Sequence, residues 1–144
     1  MTKFPIKFEV SAKAKAGVLK SWQCSAPNLE PITVGVPVEF NGPGKVYTPE
    51  DLYGLAIINC LIAVYKYLCE KNNVTFESIE AKIVVSMNKK PENDELIISH
   101  LDITFNLTKP SDEKEARLLL EKALQVCPIT NSVKPGKVCH INIK

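Results

Sequence analysis

The chain has 144 residues, a formal net charge of +2, 45% hydrophobic residues and 24% charged residues. Those values exclude a disordered chain and give little support to a binder of nucleic acid or of anionic membranes. Two counts are less ordinary: five cysteines, and a single arginine, Arg117, among 18 cationic residues.

The first ten residues mix charge with apolar side chains. They lack the apolar run and the small-residue cleavage site of a signal peptide. Phe4, Ile6, Phe8 and Val10 alternate, which predicts a half-buried strand over 3–10, with Pro5 at an edge or at its start. Residues 17–24 and 32–40 read as two further short strands, punctuated by Pro27, Pro31 and Pro37. Asn41-Gly-Pro-Gly44 reads as a loop.

Thr48 then suits a helix N-cap, and Pro49 suits the first helical position. Glu50 and Asp51 place negative charge at the positive end of the dipole. Leu52 to Leu68 is almost wholly apolar. At about 17 residues it reaches only the lower limit for spanning a membrane, and Asn59 and Lys66 interrupt it. A helix apolar on every side is otherwise a helix buried on every side, here a central helix shared with a partner chain. Glu70-Lys-Asn-Asn73 ends it.

Ile79–Met87 and Leu96–Leu107 alternate around the polar turn 88–94 and predict an antiparallel hairpin with one wet face. In the second run Ile97, Ser99, Leu101, Ile103, Phe105 and Leu107 share one side, and Ile98 and His100 the other. Ser111 is the candidate cap of a second helix, with the stripe Ala116, Leu119, Leu120, Ala123 and Leu124, ending before Pro128. A last strand spans 137–144. The order β–β–β–α–β–β–α–β makes a single α+β domain over 1–144.

Cys24, Cys60, Cys69, Cys127 and Cys139 have no C-x-x-C spacing, so neither a disulfide framework nor a zinc ribbon fits. Buried thiols of a cytoplasmic protein are the plain reading. Cys60 and Cys69 lie nine residues apart and face opposite ways on one helix. Neither His100 nor His140 has neighbours with metal-ligand spacing, so no metal and no cofactor are expected.

Two stretches carry a resemblance. Tyr47-Thr-Pro-Glu-Asp-Leu52, Gly54-Leu-Ala56 and Cys60 look like the central helix of the OsmC/Ohr superfamily, the osmotically inducible and organic hydroperoxide resistance proteins. Leu124-Gln-Val-Cys-Pro-Ile-Thr-Asn-Ser-Val133 resembles that family's Cys-Pro segment. The resemblance implies an OsmC-like fold, an intertwined homodimer and a thiol peroxidase. Cys60 would be the peroxidatic cysteine and Cys127 the resolving one. An organic hydroperoxide would be the substrate, and an external thiol or dithiol the reductant. Leu55, Ile57, Ile58 and Leu61 would line an apolar cavity at Cys60. Glu50 lies ten residues before Cys60, about 15 Å along the helix axis, so the two share a site only if two copies pack antiparallel. Glu50 also serves the helix N-terminus by itself.

The chain departs from the family at one point. Its peroxidases keep an arginine in the N-terminal segment, whereas this sequence has no arginine before Cys60, and Lys13, Lys15 and Lys20 lie in roughly the corresponding segment. Lys15 or Lys20 is the candidate replacement, supplying charge without the bidentate fork. That gap sustains an alternative: a non-catalytic small-molecule binder of the same fold, or a thiol redox sensor.

Overall fold

A computed structural model describes residues 2–144. The described residues divide into two compact units, one up to Leu52 and one from Tyr53 onward.

In the first unit, β1 (Ser11–Lys13), β2 (Trp22–Ser25) and β3 (Ile32–Val34) form an antiparallel sheet in that order. Cys24 is central, opposite Ala12 on one side and Ile32 on the other. The strand expected over 3–10 is absent, and β1 begins only at Ser11. Within one chain its alternating apolar side chains are left in the open: Phe4 is 81% exposed and Phe8 90%. The other two strands are shorter than expected. The Lys20 amide donates to the Gly17 carbonyl, so 17–20 is a turn. After Val34, Pro37 leads into a 3-10 turn at Val38–Phe40. Gly42 closes that turn so tightly that a Cβ there would fall 1.6 Å from the Val36 carbonyl oxygen.

Helix α1 (Pro49–Lys71) starts where the sequence placed it. The Asp51 amide donates to Thr48 Oγ1 at 3.2 Å, and the Thr48 amide donates to Asp51 Oδ2 at 2.8 Å. This reciprocal box satisfies donors that a helix start leaves free. At the other end Asn73 takes the left-handed conformation (φ 55°) that asparagine tolerates, and the Val74 amide returns to the Cys69 carbonyl.

In the second unit, β4 (Ser78–Lys89) and β5 (Leu96–Thr108) form the expected antiparallel hairpin. β6 (Gly136–Ile143) pairs with β5 in parallel. A parallel return needs a crossover, which α2 (Glu113–Val126) and the short α3 (Pro128–Asn131) supply. The sequence did not anticipate α3. The cap of α2 is Asp112, which accepts the Glu115 amide at 2.9 Å, rather than Ser111. The Ser111 hydroxyl is engaged by the Thr75 amide.

One face of this sheet, α1 and α2 share a core of Ile57, Leu61, Tyr65, Leu101, Ile103, Phe105, Leu107, Leu120 and Cys127. Gly54 lets α1 approach β4: a Cβ there would sit 3.1 Å from methyls of Ile83 and Val85. A register shift between Ser86 and Met87 leaves Ser99 without a cross-strand partner. Such a bulge reverses the sense of alternation. Ile98, expected on the wet face, therefore packs against the core.

The expectation that α1 is buried on every side needs correction for the single chain. Gly54, Ile57, Ile58, Leu61, Tyr65, Leu68 and Cys69 are buried, while Leu55, Ala56, Ala63 and Tyr67 are exposed. The helix is long and apolar enough to cross a membrane, but its buried side belongs to the core of a folded unit.

Candidate functional site

The fold brings together two thiols that lie 67 residues apart. Cys60 sits midway along α1, beside the core and half-buried. Cys127 is fully buried at the junction of α2 and α3. Leu119, Leu120 and Ala123 anchor α2 in the core, and Pro128 forces the chain to end one helix and begin another. Cys127 is at once the C-cap of α2 and the N-cap of α3. In that position its Sγ lies 2.7 Å from Cys60 Sγ, both being free thiols. A disulfide needs about 2.05 Å, so once an oxidant removes two electrons and two protons from the pair only a small shift accompanies bond formation.

The two sulfurs have different surroundings. Burial is the main influence on Cys60 and pushes its thiol above the ordinary range. The contact with the Cys127 thiol raises it further, and the Ile129 backbone amide opposes this by donating toward the sulfur. No cationic side chain among the described residues acts on it. Cys127 Sγ accepts two hydrogen bonds from one residue, Thr130: from the hydroxyl at 3.0 Å and from the amide at 3.4 Å.

The remaining candidates are dispersed. Ile57, Ile58 and Leu61 are core residues, so three of the four side chains expected to line a cavity are used in packing instead. Leu55 faces outward, 37% exposed. Glu50 is half-buried in the first turn of α1, and its Oε2 is buried without a hydrogen-bond partner among the described residues. Lys13, Lys15 and Lys20 are exposed and make no ion pair among the described residues.

The other thiols stand elsewhere. Cys69 is buried, and burial raises its pKa. Cys139 is half-buried and pushed up to about 11 by burial, and then by the negative charge of Asp102. Cys24 lines an apolar groove of about 610 Å³ in the first unit, with Trp22, Leu29, Ile32, Val34 and Leu52. His140 Nε2 lies 3.4 Å from Asp102 Oδ1. No cluster of three metal-ligating side chains occurs among the described residues.

Thr130 and Ile129 were not singled out from the sequence. The available signal was a Cys-Pro-x-Thr run, in which a capping side chain precedes a hydroxyl at the third helical position. A helix of four residues leaves no periodicity to reveal it.

Comparison with known proteins supports the same fold. The sequence profile described as OsmC-like protein matches residues 42–142, which is most of the chain and includes both thiols. The chain belongs to the OsmC-like family. An OsmC-like protein of unknown function from Vibrio cholerae superposes with a TM-score of 0.82 at 14% identity, over 95% of this chain and 99% of that one. An organic hydroperoxide resistance protein from Legionella pneumophila gives 0.72 at 20% identity, over 97% and 99%. The organic hydroperoxide resistance protein OhrB of Bacillus subtilis gives 0.68 at 16%, over 96% and 98%. Among curated proteins there is no significant sequence match. The mixed α+β fold of this OsmC-like chain is thus shared with proteins of very different sequence.

Proposed function

We propose that this OsmC-like protein is a thiol-dependent peroxidase that reduces organic hydroperoxides in the cytoplasm and protects against oxidative stress. The observation that carries the reading is the 2.7 Å approach of Cys60 Sγ and Cys127 Sγ. In this mechanism the Cys60 thiolate attacks one oxygen of the hydroperoxide, the O–O bond breaks, and the alkoxide leaves and is protonated to the alcohol. Cys60 is then a sulfenic acid. The Cys127 thiolate attacks that sulfur and expels hydroxide, leaving a disulfide. An external dithiol restores both thiols and is itself oxidised. The membership of the family and the organic hydroperoxide resistance proteins among its structural neighbours support this substrate class.

The reading includes a homodimer. Exposed apolar residues on α1, and separately those of the first unit with its 610 Å³ groove, are apolar surface that a second copy would cover. An antiparallel pairing of the two α1 helices would carry Glu50 of one copy toward Cys60 of the other. A lysine, Lys15 or Lys20, would then supply the missing positive charge.

One observation favours a second reading. Cys60 is raised above the ordinary thiol range, and no cation acts on it among the described residues. An unactivated Cys60 suits a slow redox sensor or a binder of a small apolar molecule. The test is to mix reduced protein with cumene hydroperoxide and count free thiols. The peroxidase loses two thiols per chain rapidly, turns over with dithiothreitol, and loses both properties in Cys60→Ser. Thiols that survive a modest excess of peroxide sink the enzyme reading. Slow oxidation without turnover selects the sensor.

A further inference from the structure

Thr130 has a role that neither its residue type nor the short helix around it announces. The side chain is 4% exposed, and its hydroxyl has one hydrogen-bond partner among the described residues, the Cys127 sulfur. A buried hydroxyl needs a partner. Here hydroxyl and amide converge on the same Sγ, at 3.0 and 3.4 Å. Cys60, whose Sγ lies 2.7 Å from that sulfur, is half-buried, whereas Cys127 is wholly buried.

We infer that Thr130 is a positioning residue that makes Cys127 the leaving sulfur when the Cys60–Cys127 disulfide is reduced. The inference rests on the proposed pairing of these two cysteines, but not on the peroxide step. An incoming thiolate reaches only Cys60. Its sulfur bonds to Cys60 Sγ, the Cys60–Cys127 bond breaks, and the electron pair passes to Cys127 Sγ. A hydrogen bond to the charged form stabilises that form, and a better-stabilised thiolate leaves faster. The second thiol of the reductant then attacks the reductant's own sulfur in the mixed disulfide and expels the Cys60 thiolate. Both cysteines are protonated from solvent, and the reductant departs as a disulfide. The same two donors hold Cys127 Sγ against Cys60, so one residue serves both directions of the exchange.

The test starts from protein oxidised with diamide, so that peroxide reactivity does not enter. Reduction by dithiothreitol is followed by free-thiol release in the wild type, Thr130→Val and Thr130→Ser. Thr130→Val keeps the shape and removes the hydroxyl. Its reduction is expected to slow about tenfold, the effect of one hydrogen bond to a charged sulfur, while Thr130→Ser stays near the wild type. A monothiol should be trapped on Cys60, and peptide mapping locates it. Equal rates in the wild type and a folded Thr130→Val overturn the inference, as does a mixed disulfide on Cys127 in the wild type. If Thr130→Val does not fold, Thr130→Ala carries the same rate comparison, and the mapping, which needs no variant, tests which sulfur leaves. If diamide forms no Cys60–Cys127 disulfide, the pairing itself fails. If peroxide turnover is absent while the Thr130 effect holds, only the peroxidase reading falls.

Discussion

Cys60 illustrates how one side chain is governed by where the fold leaves it. A position halfway along a helix gains nothing from the helix N-terminus, and burial disfavours the thiolate. The Ile129 amide opposes that effect without cancelling it. Because the thiolate is the nucleophile, the rate at which Cys60 reacts with peroxide or iodoacetamide should climb as pH rises through and beyond the ordinary thiol range. A rate independent of pH across neutrality would mean that a cation supplied elsewhere already ionises it. Cys139 has the same chemistry with a thermodynamic consequence. Its pKa rises from 9.0 to about 11 on folding, first by burial and then by Asp102. The unfolded thiol therefore ionises before the folded one. The stability tied to this group is complete below about pH 9 and falls as pH approaches about 11. Urea midpoints at roughly pH 8 and roughly pH 10.5 should fall further apart for the wild type than for Cys139→Ala. Equal losses in both proteins would remove Cys139 as a source.

At the scale of elements, helix ends and close approaches were legible to different degrees. The start of α1 was readable because Thr48, Pro49 and Asp51 each act within one turn, and such local chemistry is written in consecutive residues. The start of α2 was misread by one residue, since Ser111 and Asp112 are both good caps and only the contact of Ser111 with the Thr75 amide separates them. Asp112→Ala should therefore cost about 1 kcal/mol of stability by denaturant titration, and more than removal of the Ser111 hydroxyl if the capping contact dominates. Gly54 is a packing glycine rather than a flexible one. A valine there would press on Ile83 and Val85, already 3.1 Å from a notional Cβ, and should destabilise by about 1–3 kcal/mol. The bulge at Ser99 was hidden because alternation by itself cannot announce a skipped residue. Its mark is Ile98, an apolar side chain in a place where strict alternation puts a polar one.

For the whole molecule, the exposed face of α1 is the open question posed by the sequence, and a second copy is the proposed answer. Leu55 and Tyr67 on α1, and Phe4, Phe8 and Val10 in the first unit, are more exposed than a lone soluble chain normally leaves such residues. Light scattering should give roughly 32 kDa, twice the 16.0 kDa chain, and Leu55→Glu should move it toward the monomer. A wild-type monomer at micromolar concentration would remove the proposed route by which Glu50 reaches Cys60. The amino-acid sequence by itself determined the order of the major elements, the limits of α1 and of the β4–β5 hairpin, and the two motifs that carry the family. Each depends on neighbouring residues, periodicity or fixed spacing. Only the tertiary structure decided that residues 3–10 have no strand to pair with inside one chain, that Ile57, Ile58 and Leu61 belong to the core, and that Thr130 stands behind Cys127 where its sulfur lies 2.7 Å from that of Cys60. Those are facts about segments far apart along the chain, and burial and contact between such segments are properties of the packed core rather than of any local pattern.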